Sequence, residues 1–147
     1  MKNITFEPIK PEHSTIAAHL RQSDIDEINL LNSLSPELAI AFSIAASEKG
    51  CSVFLDGILC ALFGISNGVI WLVGTDEISN HPITFFRMSK NIFSEISMGY
   101  SYLHNWVDAR NSLSLRWLSW LGFSLTPHFI GENLIFHADW TDKSCVP

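Results

Sequence analysis

Basic charge is scarce in this sequence. Its 147 residues hold nine Lys and Arg against fifteen Asp and Glu, a formal charge of −6, with no Lys/Arg run. Affinity for nucleic acid leans on clustered cations that displace counterions from phosphates, so no nucleic-acid partner is expected. Cysteine is scarce too. Cys51, Cys60 and Cys145 make an odd set without a C-x-x-C pair, which suits neither a disulfide framework nor a zinc site and fits a reducing compartment. The histidines are scattered without an H-x-x-x-H spacing, so no metal is expected. Long apolar runs are absent: none nears the roughly 20 residues that span a bilayer. The N-terminal stretch MKNITFEPIKPEH lacks the apolar core of a signal peptide. These absences describe a cytoplasmic protein with no membrane contact.

What is present is apolar. Hydrophobic residues make up 47% of the chain and charged residues 16%, a composition that excludes disorder and allows one domain with a sizeable core. No repeat or linker divides it. The expected domain runs over residues 1–140, with TDKSCVP at 141–147 as a loose tail.

The pattern of elements is mixed. Ile4 to Lys10 alternates apolar and polar residues before Pro11, as a strand does. Glu12 to Leu20 and Ser23 to Asn32 read as short helices. Ser35-Pro36 opens another, with Ser35 as cap and Pro36 where its missing donor costs nothing. Leu38, Ala41, Phe42 and Ala45 give that helix an apolar stripe, and Gly50 follows as a stop. Asp56-Gly57 and Asn67-Gly68 sit between apolar runs and tolerate the positive φ of tight hairpins, so Cys51 to Val73 reads as a three-strand antiparallel meander. Phe85, Met88, Ile92, Phe93 and Ile96 mark a helix ending at Gly99. Tyr102 to Val107 is a strand. Leu113, Trp117, Trp120 and Leu121 stripe a further helix, ended by Gly122. Phe123 to Phe129 and Leu134 to Trp140 form a last pair, turned through Gly131-Glu132-Asn133. A strand-helix-strand crossover adds a parallel pairing to the meander. The fold class is α/β, with a central mixed twisted sheet of about seven strands flanked by helices.

That order of elements resembles the GNAT acetyltransferases. The helix after their fifth strand often reads N-x-x-A-x-x-L-Y-x-x-x-G-F. Laid on Asn111 to Phe123, it matches Asn111, Gly122 and Phe123, with Ser114 for the Ala and Trp117 for the Leu. A narrower likeness rests on four motifs: Gly74-Thr75-Asp76, His81-Pro82, Phe85-Phe86-Arg87 and Val107 to Asn111 (VDARN). In that order they are similar to the internal virion protein A family of short-tailed phages and prophages, whose members look like reduced GNAT domains. The resemblance implies the GNAT fold and a phage origin.

The chain departs from working acetyltransferases at two places. Their glycine-rich loop before the next helix holds the cofactor pyrophosphate on backbone amides. Here that junction reads GTDEISNHPITFF, with two acids, no second glycine, and Pro82 supplying no N–H. The tyrosine that often protonates the leaving thiolate is replaced by Leu118.

Acyl transfer to an amine needs a base, donors for the tetrahedral oxyanion and a proton for the thiolate. The resemblance makes Asp76 the candidate base; its other reading is an Asp at a turn or helix start. His81 is a candidate acid or base, or a loop His before a helix-starting Pro. For the cofactor, Arg87 is the nearby cation, and Asn111 either contacts a pantetheine amide or caps its helix. Asp108 and Arg110 shape a polar pocket rim or form a surface ion pair. Trp106, Trp117 and Trp120 read as core, and Cys51 and Cys60 as buried thiols. Two functions follow. One is a non-catalytic virion-assembly or partner-binding protein with a degenerate acyl-CoA site. The other is an N-acetyltransferase that uses acetyl-CoA to modify a host or phage protein. Both call for a protein partner.

Overall fold

The computed structural model describes residues 3–143. The first strand, β1 (Ile4–Pro8), is followed by a 3-10 helix (Pro11–His19) and the helices α1 (Gln22–Leu31) and α2 (Pro36–Ala46). The expected cap is in place: the Ser35 hydroxyl accepts the Leu38 N–H, with Pro36 at the first helical position. The meander follows as β2 (Lys49–Leu55), β3 (Ile58–Ser66) and β4 (Val69–Gly74). Its turns are of the expected kind, with φ of 51° and 80° at Asp56 and Gly57 and of 50° and 81° at Asn67 and Gly68. Paired positive φ gives a turn whose twist matches the strands it joins.

The second half holds α3 (Asp76–Asn80), α4 (Pro82–Ile96), β5 (Tyr102–Asp108), α5 (Ser112–Leu121), β6 (Ser124–Ile130) and β7 (Asn133–Thr141). The seven strands form one sheet in the order β1-β2-β3-β4-β5-β7-β6. All neighbours are antiparallel except β4 and β5, which the α3–α4 crossover makes parallel. β7 runs through Thr141, and the Asp142 N–H donates to the Ser101 carbonyl. The remainder of the expected tail, residues 144–147, lies outside the described residues.

Alternation along the strands supplies two cores. Phe63 of β3 points to one face, where it joins Phe85 and Phe93 of α4 and Trp117 and Leu121 of α5. Its neighbour Leu62 points to the other, where Ile16, Ile40 and Ile44 cover it. Trp117 is fully buried; its ring meets Phe63 edge-on at 5.5 Å and its indole N–H donates to Ser89 Oγ at 3.0 Å.

Three expectations fail on packing. In α2 the expected stripe faces water, with Leu38 51% and Phe42 60% exposed, while Ala39, Ile40 and Ile44 are buried. The helix PELAIAFSIAA is apolar nearly all round, so spacing cannot choose its face. Gly50 does not stop α2, which ends at Ala46; it lies in β2, where an added Cβ would come within 2.9 Å of Ile9 Cγ2. Of the three tryptophans read as core, Trp106 is 39% and Trp120 44% exposed.

Candidate functional site

β4 and β5 pair only at their start. Val69 stands opposite His104, and the His104 N–H donates to the Gly68 carbonyl at 3.0 Å. Beyond that point the strands part, leaving a fork open toward Gly74 and Asp108. An open fork exposes backbone groups that must find partners elsewhere.

Helix α1 supplies them. Its N-terminal residues Arg21, Asp24 and Glu27 fall at three-residue steps and share a face. The Arg21 N–H donates to the Gly74 carbonyl at 2.9 Å, and Asp24 Oδ2 accepts the Gly74 N–H at 2.8 Å. One turn on, Glu27 Oε1 accepts the Asp108 N–H at 2.8 Å. Asp24 thus holds one arm of the fork and Glu27 the other. The Trp106 N–H donates to Asn105 Oδ1 at 2.8 Å.

A buried network braces this clamp. The Arg21 guanidinium grips Asp24 through both carboxylate oxygens, at 3.1 and 2.8 Å, and donates to Asn111 Oδ1 at 3.0 Å. Asn111 Nδ2 returns a bond to Asp24 Oδ1 at 3.0 Å, while Asn111 Oδ1 also caps α5 by accepting the Ser114 N–H at 3.4 Å. Arg21, Asp24 and Asn111 are all buried. A charge pair in such a place holds only because each lone pair and proton has a partner. Asn111 is therefore the helix cap that its residue type suggests, and a member of the clamp as well.

On the α1–α2 side the fork opens into a cavity of about 320 Å³, lined among others by Glu27, Leu31, Trp71, Asn105 and Trp106. The Trp106 ring forms one wall, backed by His137 at 4.5 Å and His128 at 5.1 Å. Burial pushes the Glu27 carboxyl up to about 8, and the nearby Asp24 and Asp108 add to the rise against the bonds from Asp108 and Asn111. Asp108 behaves oppositely. Burial raises it, but the hydrogen bonds and charge of Arg110 outweigh that and hold it below the usual carboxylate range. The pair is tight, with Arg110 Nη2 2.6 Å from Asp108 Oδ2. It is not the plain surface pair of one expected reading, because Asp108 is buried while Arg110 reaches solvent.

The other sequence-derived candidates lie apart from the clamp. Asp76 is exposed at the first turn of α3, where the Thr75 hydroxyl accepts the Glu77 N–H. Glu77 lines a small depression beside Leu55, Asp56 and Ile58. His81 joins α3 to α4 and makes no side-chain cap. Arg87 is exposed on α4. Cys51 and Cys60 are buried, and burial pushes their thiols up to about 12 and about 11. Among the described residues, no group of three or more His, Cys, Asp and Glu is placed to hold a metal, and no single helix is long and apolar enough to cross a membrane.

A seven-strand mixed sheet with a fork between its fourth and fifth strands is the GNAT acetyltransferase fold, and comparison with solved structures bears this out. The ribosomal-protein-S5-alanine acetyltransferase of Vibrio fischeri superposes with a TM-score of 0.62 at 13% identity, over 98% of this chain and 96% of its own. The aminoglycoside acetyltransferase AAC(6')-Ib in complex with coenzyme A gives 0.63 at 9%, over 97% and 96%. An acetyltransferase of the GNAT family from Streptococcus pneumoniae gives 0.61 at 12%, over 95% and 100%. No family model and no curated protein matches the chain. Likeness at these identities establishes the fold alone.

Proposed function

We propose that this is a GNAT-fold protein that works by binding a partner protein and has lost acyl-CoA chemistry. One observation carries the reading: Asp24 and Glu27 of α1 take the Gly74 and Asp108 amides at the wide end of the fork. A thioester carbonyl there needs free donors for its oxyanion, and it meets instead two carboxyl groups and a buried ion pair. The phosphate end is equally ill suited. α3 begins with Asp76 and Glu77, and α4 begins with Pro82, which has no N–H to offer. Acyl-CoA does not fit this donor set.

The motifs shared with the phage internal virion protein A family favour a role in virion assembly or in binding a phage or host protein. Native mass spectrometry of the protein purified from a bacterial host tests the loss of cofactor binding. The expected spectrum holds the apo mass alone after acetyl-CoA is added; a stoichiometric CoA adduct would reverse the reading.

A second reading, an N-acetyltransferase acting on a protein, is favoured by Glu27. A carboxyl raised to about 8 in the lining of a cavity is largely protonated at neutral pH, and its ionised fraction is basic enough to take a proton from an amine. It requires acetyl-CoA to enter the fork. Acetylation of an added protein by the unmodified chain, abolished by Glu27→Gln, would establish it.

A further inference from the structure

The exposure of Trp120 has no explanation in the core. Its indole N–H donates to the Phe86 carbonyl at 2.9 Å, which ties the ring of α5 to α4 while leaving the residue 44% exposed. Around it lies a groove of about 570 Å³, lined by Phe86, Leu115, Arg116, Ser119, Trp120 and Leu125. Two cations rest on its aromatic rings: Lys90 Nζ lies 4.7 Å from the Trp120 centroid, and the Arg116 guanidinium 5.9 Å from that of Phe86. Such contacts are weak at a surface and leave the charge available to a carboxylate.

The charge around the groove is opposite to that of the molecule. Lys90 and Arg116, on the groove's rings, and Arg87, exposed on the same helix α4 as Lys90, are three of the nine Lys and Arg in a chain of net charge −6. None of the three is in an ion pair among the described residues, whereas Lys10, Arg21 and Arg110 are. α5 contains no Asp or Glu, and α4 contains only Glu95. An acidic ligand is repelled by most of this surface and drawn to one face, which orients it before contact. Three cations without a longer basic track are too few for a phosphate backbone.

We propose that the groove between α4, α5 and β6 docks an acidic segment of a partner protein, with one large apolar side chain seated against Phe86 and Trp120 and its carboxylates on Lys90 and Arg116. This rests on the partner-binding reading and names the chemistry of the partner. It does not depend on whether acyl-CoA enters the fork between β4 and β5. The ring locked by its own hydrogen bond lowers the ordering cost of binding.

Fluorescence anisotropy with labelled peptide pools tests it. One pool has a Glu/Asp background with a fixed Leu, Phe or Trp; a second replaces the acids by Lys and Arg; a third keeps the acids and fixes Ala. The first pool is expected to bind at least about tenfold more tightly than either control, and to weaken as salt rises. Lys90→Glu with Arg116→Glu, exposed changes outside the core, should weaken it by about tenfold or more, and Trp120→Ala should do likewise. Equal binding of acidic and basic pools, or a double variant within about twofold of the unmodified protein, overturns the proposal. So does displacement of the peptide by adenosine 3',5'-bisphosphate, which would make the groove a nucleotide site. Self-association of the protein, lost in the same double variant, overturns it in favour of a second copy of the chain. Because CoA binding is measured separately, failure here leaves the reading of the fork intact.

Discussion

The meander and the fork solve the same problem in opposite ways. In the meander, β2, β3 and β4 satisfy one another's amides across turns of two residues. In the fork, β4 and β5 part after one pairing, and their amides turn to side chains that lie 50 residues away for Gly74 and Asp24 and 81 for Asp108 and Glu27. The meander is built from local contacts. The fork holds its shape only if α1 delivers two carboxyl groups to it. An acetyltransferase needs its fork open, so on the proposed reading the clamp is what keeps acyl-CoA out of this one.

Breaking the clamp should cost most. Asp24→Ala leaves Arg21 buried without its counter-charge and strips the Gly74 N–H, and we expect a loss of about 3–5 kcal/mol in urea denaturation. A loss under about 1 kcal/mol would mean that water replaces the carboxylate and that the clamp is ornamental.

Glu27 gives the comparison a pH axis. Its folded pKa, about 8, lies above the ordinary 4.5, so the unfolded state releases this proton first. The stability linked to Glu27 is therefore complete below about pH 4.5 and is lost as pH rises through about 8. The fall should reach on the order of 2–4 kcal/mol, since each tenfold change in proton affinity is worth about 1.4 kcal/mol and relaxation takes some of it back. Glu27→Gln should flatten the slope relative to the unmodified protein across that window. The lowered Asp108 acts only below the usual carboxylate range and leaves this window clear.

In the meander a single change should do less. Gly57→Ala places a Cβ at φ 80° and should cost about 1–2 kcal/mol, read as a shift in denaturation midpoint. The smallest effect belongs to α2. Phe42 lies on the exposed face, so Phe42→Ala should stay within about 0.5 kcal/mol of the unmodified protein. A larger loss would restore the face that spacing suggests.

The same contrast explains what the sequence discloses. Asp56-Gly57 and Asn67-Gly68 are readable because a two-residue turn is encoded in its own dipeptide, and the GF closing α5 is readable because a helix end is local too. The clamp is not legible in this way. Asp24 and Glu27 carry a faint signal in their three-residue spacing beside Arg21, but nothing in RQSDIDE says which strands that face will meet. Asn111 is readable as a cap, not as the partner of residues some 90 positions earlier. The face of α2 is hidden for another reason: a helix apolar all round has no pattern to read. Trp106 and Trp120 defeat a reading by residue type because type predicts only average burial, and these two are 39% and 44% exposed.

The most direct test of the account is calorimetric titration of acetyl-CoA into the unmodified protein at neutral pH. With Asp24 and Glu27 holding the strand amides and acids at the start of α3, the account predicts no saturable heat, a Kd weaker than about 1 mM. Saturable binding at micromolar acetyl-CoA would contradict it, and would mean that α1 yields the fork to the cofactor.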